Sequence, residues 1–125
     1  MKVLLVDDSK TMRNIERKAL SALGDVECAD AGDGVEALAC IAAQGPFDLV
    51  IIDWNMPNMD GITLIGKIRA TDKRTPLVMC TTESEKMRVM EALKAGANNY
   101  VVKPFTPEAL IERVRQTLEK LKTAA

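Results

Sequence analysis

Five short apolar runs, each followed by a longer stretch of helical character, set what this chain can fold into. The runs are Lys2 to Val6, Val26 to Ala29, Leu49 to Asp53, Leu77 to Thr81 and Tyr100 to Val102. Short runs with so little polar alternation are typical of strands buried on both faces. The stretches between them, Lys10 to Leu23, Gly34 to Ala43, Gly61 to Ala70, Ser84 to Ala95 and Pro107 to Leu121, have the length of crossover helices. Such alternation predicts an α/β domain, a doubly wound five-stranded parallel sheet with helices on both faces, because right-handed crossovers place them there.

The punctuation agrees. Gly24 and Gly96 stand where helix C-termini favour a residue free to take positive φ. Thr106 reads as an N-cap, with Pro107 in the first turn and Glu108 near the positive end of the dipole. In the same helix Leu110, Val114, Leu118 and Leu121 recur at helical spacing and form a core stripe.

A chain of 125 residues with 47% apolar content fits one domain, 1–125, with a single core and no room for an appended effector domain. Its 17 basic and 18 acidic residues give a formal charge of -1 without a basic block, so nucleic-acid binding has no electrostatic support. A protein or a small anion is the expected partner. No apolar stretch resembles a signal peptide or membrane span, and a cytoplasmic protein is expected. Cys28, Cys40 and Cys80 are odd in number and widely spaced, and the chain has no histidine, which argues against zinc and for small core thiols. The lack of histidine also removes Ser-His and Cys-His nucleophile pairs.

Two of the runs end in acid: Asp7 and Asp8 follow Val3 to Val6, and Asp53 follows Leu49 to Ile52. Asp48 precedes its run and falls outside this group. In open α/β sheets ligands bind beyond the carboxyl ends of the strands, and three carboxylates there repel one another unless their pKa values rise or a cation joins them. A hard divalent ion is the simpler answer. The competing reading of Asp8 and Ser9 as helix caps is weakened by the separate Asp53. The other strand ends supply Thr81, Thr82 and Lys103. Carboxylates for a cation, a hydroxyl donor and a point positive charge are what bringing a phosphoryl group to a carboxylate nucleophile requires.

The segments LLVDDS, IIDWNMPNMDG, VMCTTE and AGANNYVVKPF resemble the four signature blocks of the receiver domains of two-component response regulators, especially those of chemotaxis. The likeness spans the chain. It implies a flavodoxin-like strand order 2-1-3-4-5, which chemotaxis receivers illustrate. It implies Asp53 as phosphoacceptor, Mg²⁺ held by Asp8, Asp53 and the carbonyl of Asn55 with Asp7 acting through water, and Lys103 as partner of the phosphoryl group. It further implies a cis peptide before Pro104; Pro46 and Pro76 are expected to be trans.

Thr81 and Tyr100 are the implied switch pair, the aromatic turning inward as the hydroxyl moves toward phosphate. Asn55 and Glu83 match residues that tune hydrolysis, and imply a short-lived phosphoryl state. Thr82 departs from the pattern, where many receivers have alanine, and a larger side chain there narrows access to the site. The implied output surface takes in Lys86, Val89, Leu93, Tyr100, Val102 and Arg113. On the fourth helix Met87, Val89, Met90 and Leu93 cover an arc of roughly 160°, wider than the stripe of about 100° that a core contact needs. A generously buried helix is the competing reading.

The implied partners are a sensor histidine kinase, a flagellar motor switch protein or another protein target, and a phosphatase, with a monomer as the expected state. A phosphorelay shuttle or a regulator of another enzyme is the alternative within the family. A dehalogenase-like phosphatase stands further off, since its DxD pattern on the first strand is absent; so does a flavodoxin, whose phosphate cradle is missing from the acidic first loop.

Overall fold

The computed structural model describes residues 1–82 and 86–124, without the side chains of 86, 87 and 122–124. The order is β1 (Lys2–Val6), α1 (Lys10–Leu20), a 3₁₀ turn (Ser21–Leu23), β2 (Glu27–Ala31), α2 (Gly34–Gln44), β3 (Leu49–Asp53), α3 (Gly61–Arg69), β4 (Leu77–Thr81), α4 (Lys86–Ala95), β5 (Asn99–Val102) and α5 (Pro107–Ala124). The strands form one parallel sheet in the order β2-β1-β3-β4-β5, as the resemblance implies.

Alternation along the strands divides the core between two faces. Leu4, Val6, Val50, Ile52, Leu77 and Met79 pack with Ala37, Leu64, Ile65, Ile68 and Ala92 of α2, α3 and α4. Val3, Leu5, Leu49, Ile51, Val78, Cys80 and Val101 pack with Ala19, Leu20, Leu110, Ile111 and Val114 of α1 and α5. Because β1, β3 and β4 are covered on both sides, a truncation such as Ile51→Ala costs about 2–5 kcal/mol.

Several boundaries differ from expectation. β2 runs on to Ala31 because each of its residues pairs with β1, from Lys2 opposite Glu27 to Val6 opposite Ala31. Asp30 is tolerated in this edge strand because Arg13 and Arg17 reach its carboxylate. α1 ends at Leu20 and tightens into the 3₁₀ turn before Gly24, whose φ is 103°; Gly96, after α4, has φ 121°. α5 continues past Leu121.

The Lys103–Pro104 peptide is cis, as implied, whereas the Gly45–Pro46 peptide is also cis against the expected trans form. Gly45 closes α2 by donating to Ile41 O at 2.9 Å and leaves in the extended conformation that a residue before proline favours. Cys80 is buried and Cys28 and Cys40 are half-buried, all as free thiols. Among the described residues no helix is long and apolar enough to cross a membrane.

Candidate functional site

Asp7 continues directly from β1, its N–H donating to Ala31 O at 3.0 Å. Its side chain is almost wholly buried: Oδ1 accepts from the Ser9 N–H at 2.8 Å and Oδ2 from Lys103 Nζ at 2.9 Å. Ser9 is the N-cap of α1, accepting from Met12 N–H, so the cap that competed with a functional reading is the serine, and Asp8 is left exposed beside it. Asp53 ends β3 with 7% exposure, and its Oδ1 accepts from Lys103 Nζ, also at 2.9 Å. One carboxylate oxygen each from Asp7, Asp8 and Asp53 lies within 4.8 Å of the others. Asp48 accepts from the Lys2 N–H at the opposite end of the sheet.

Lys103 follows β5, and its N–H donates to Thr81 O at 2.6 Å, tying the ends of β4 and β5 together. Burial works against the Lys103 charge, yet hydrogen bonds and attraction from Asp7 and Asp53 outweigh it and raise its pKa above the ordinary lysine range. Burial raises the Asp53 carboxyl above the usual carboxylate range; the Lys103 hydrogen bond opposes this, while the charges of Asp7 and Asp8 add to it. The cluster is thus anionic and only partly neutralised, and its all-oxygen donor set fits a hard divalent cation.

The loop from Asn55 to Asp60 is held from several sides. Trp54 N–H donates to Cys80 O at 2.9 Å, and Gly61 N–H returns to Trp54 O at 3.0 Å. Asn58 adopts φ 66° and its Nδ2 donates to Asp33 Oδ2 at 2.7 Å. Gly61 opens α3 without a positive φ; a Cβ there would lie 2.5 Å from Asp53 O, so close approach to the site explains the glycine. Asn55 is exposed at the loop's start.

Thr81 is buried at the end of β4 and Thr82 beyond it is exposed. Glu83 lies outside the described residues, as do the side chains of Lys86 and Met87. On α4, Met90 and Leu93 are 48% and 44% exposed, Val89 is half-buried and Ala92 is buried, so part of the wide apolar arc does face outward. Leu93, Tyr100 and Arg113 meet at a groove of about 530 Å³ between α4, β5 and α5. The half-buried Tyr100 ring carries the Arg113 guanidinium 4.6 Å from its centroid. Val102 is half-buried in β5 and does not line that groove.

Three residues escape the reading of the sequence. Arg13 Nη1 donates to Asp7 O while its Nε meets Asp30 at 2.9 Å, bracing the turn after β1. Arg88 of α4 lies 4.8 Å from the centroid of the Trp54 ring. Glu16 of α1 is 1% exposed; its Oε2 accepts from the Cys80 thiol at 3.6 Å and its Oε1 has no hydrogen-bond partner among the described residues. Burial, then the charge of Asp7, pushes the Glu16 pKa up to about 8. The signal for Glu16 was present: it occupies the apolar stripe of α1 with Met12, Ala19, Leu20 and Leu23.

A family profile described as the response regulator receiver domain matches residues 3–115. The chain is 48% identical over 120 residues to the chemotaxis protein CheY1 of Helicobacter pylori J99, covering 94% of this chain and 97% of that protein. It is 43% identical over 123 residues to the chemotaxis protein CheY of Pseudomonas aeruginosa, covering 97% and 98%. The solved chemotaxis response regulator CheY4 of Vibrio cholerae is similar in structure with a TM-score of 0.86 at 39% identity, over 94% of this chain and 98% of that one.

Proposed function

Since the chain belongs to the response regulator receiver family, we propose that Asp53 is its phosphoacceptor and that Lys103 and Thr81 convert the phosphoryl group into a change of binding surface. It is a CheY-like response regulator, a signalling protein. The observation that carries the assignment is the Lys103 ammonium shared between Asp53 and Asp7 beside the three-carboxylate cluster.

An Asp53 carboxylate oxygen attacks the phosphorus of a phosphohistidine on a sensor histidine kinase. The P–N bond breaks, its electron pair stays on the imidazole nitrogen, and an acyl phosphate forms on Asp53. Asp8, Asp53 and the Asn55 carbonyl, with Asp7 through water, are the residues that would hold Mg²⁺. When bound, that ion supplies positive charge to the oxygens of the transferring group. Lys103 supplies a second positive charge already in place, and Thr81 a hydroxyl for a phosphoryl oxygen. Asn55, Glu83 and Thr82 then set how quickly water removes the group, the larger Thr82 side chain narrowing its approach.

The output follows from the groove at Leu93, Tyr100 and Arg113, to which the resemblance adds Lys86, Val89 and Val102. Similarity to the chemotaxis proteins favours a flagellar motor switch protein as its target, with a phosphatase as a further partner, in the cytoplasm, residues 1–125 forming one monomeric receiver domain. Asp53→Asn tests the core of this reading, because an amide is a far poorer nucleophile. After incubation with acetyl phosphate and Mg²⁺, intact mass is expected to show a hydroxylamine-labile phosphoryl adduct on the wild type and none on the variant. An adduct on the variant removes Asp53 as acceptor.

A further inference from the structure

The residue that the phosphoryl mechanism leaves unused is Glu16. A glutamate in the middle of α1 normally reaches solvent, since burying a carboxylate without partners is costly. Here it points into the layer between sheet and helix, beside Cys80 and among the apolar side chains of the α1 and α5 face. Among the described residues its buried Oε1 has no donor and no cation is bonded to it. An arrangement that is unfavourable for packing, set beneath a charged cluster, calls for a role in that cluster.

We propose that Glu16 is a positioning residue for phosphoryl transfer, a buried carboxyl whose ionisation adds negative charge beneath Asp7, Asp53 and Lys103 and so opposes the arriving phosphoryl anion. The inference rests on the assignment of Asp53 as acceptor. The charged and titratable groups around Glu16 are Asp7 after β1, Asp53 on β3, Cys80 on β4, Lys103 after β5 and, across β1, Cys28 on β2. Of these, burial raises the two thiols above their ordinary range, and Lys103 is raised despite burial by its bonds to Asp7 and Asp53. Burial most of all, then the charges of Asp7 and, least, Asp53 raise the Glu16 pKa, while Lys103 and the Cys80 hydrogen bond lower it, leaving a titration at about 8. Neutral Glu16 leaves the ammonium shared by Asp7 and Asp53. Ionised Glu16 draws on that same ammonium and raises the negative potential at the acceptor.

Rates of phosphoryl acceptance from acetyl phosphate, at saturating Mg²⁺ and between pH 6.5 and 9.5, separate this role from simple packing. Wild type is expected to lose rate by about fivefold on the alkaline side of the Glu16 titration. Glu16→Gln, of like shape and always neutral, is expected to lack that inflection. Parallel profiles in the two proteins overturn the proposal. Should the glutamine variant fail to fold, the carbon-13 shift of the Glu16 carboxyl in the wild type decides instead. A midpoint that coincides with the kinetic inflection supports the role, and an ordinary carboxylate midpoint overturns it. An adduct that persists in Asp53→Asn would instead count against the acceptor assignment, which is a different failure.

Discussion

Lys103 Nζ and Asp53 Oδ1 are 2.9 Å apart, joining residues that are 50 positions apart in the chain across the ends of β3 and β5. The same ammonium reaches Asp7 at 2.9 Å, so one cation occupies part of the field into which a metal ion must come. Removing it leaves two buried carboxylates without their cation. Lys103→Ala is therefore expected to bind Mg²⁺ about tenfold more tightly, read by the fluorescence of the adjoining Trp54. An unchanged dissociation constant would show that lysine and metal do not share a field. Lys103→Arg keeps the charge but exchanges a compact ammonium for a planar fork, and is expected to impair phosphorylation-dependent target binding.

Thr81 tests whether phosphorylation and signalling are separable. Its hydroxyl is proposed to contact the phosphoryl oxygens only after transfer, and that differential contact biases the equilibrium of the output face. Thr81→Ala is expected to gain the normal phosphoryl mass yet show little increase in affinity for a motor-switch peptide. Equal gains in affinity for variant and wild type would disconnect Thr81 from the groove at Tyr100.

Glu16 makes a separate statement about stability. Its folded pKa, about 8, is raised above the ordinary 4.5, first by burial and then by the charge of Asp7, so between these values the folded state holds more protons than the unfolded one. The resulting stabilisation is complete below about 4.5, and is lost as pH rises through about 8. Urea unfolding without metal is expected to show Glu16→Gln gaining on wild type as pH rises across that window, by at most about 1.4 kcal/mol per pH unit. A constant difference would show that Glu16 ionises normally in the fold.

Gly61 is expected to be intolerant for a reason that touches the site itself. A Cβ would lie 2.5 Å from Asp53 O, a backbone atom that cannot rotate away. Gly61→Ala is expected to cost about 1–3 kcal/mol in urea unfolding and to slow phosphoryl acceptance by displacing Asp53. Loss of stability with an unchanged rate would place the strain in α3 instead.

The sequence carried the sheet and most of the site because one pattern specifies both. Parallel strands end at one edge, so Asp7, Asp8, Asp53, Thr81 and Lys103 become neighbours once the apolar runs are recognised. What stayed hidden depends on contacts between elements. The extent of β2 follows from its pairing with β1, and nothing in the Gly45–Pro46 dipeptide itself foretells its cis bond. The stacking of Arg88 on Trp54 joins a helix to a loop that no local period relates. Glu16 was visible as a charge in an apolar stripe, but that pattern says nothing of which strand it meets.

Cys80 and Thr81 are consecutive in β4, and consecutive strand residues point to opposite faces. Cys80 turns toward Glu16 and the α1 and α5 layer, whereas Thr81 follows Met79 toward the layer of α3 and α4. The strand is thus a partition with a different conversation on each side: Cys80 meets the Glu16 carboxyl on one, and Thr81 lies on the side of α3 and α4 on the other. Glu16 can therefore be exchanged without touching the face of β4 onto which Thr81 looks.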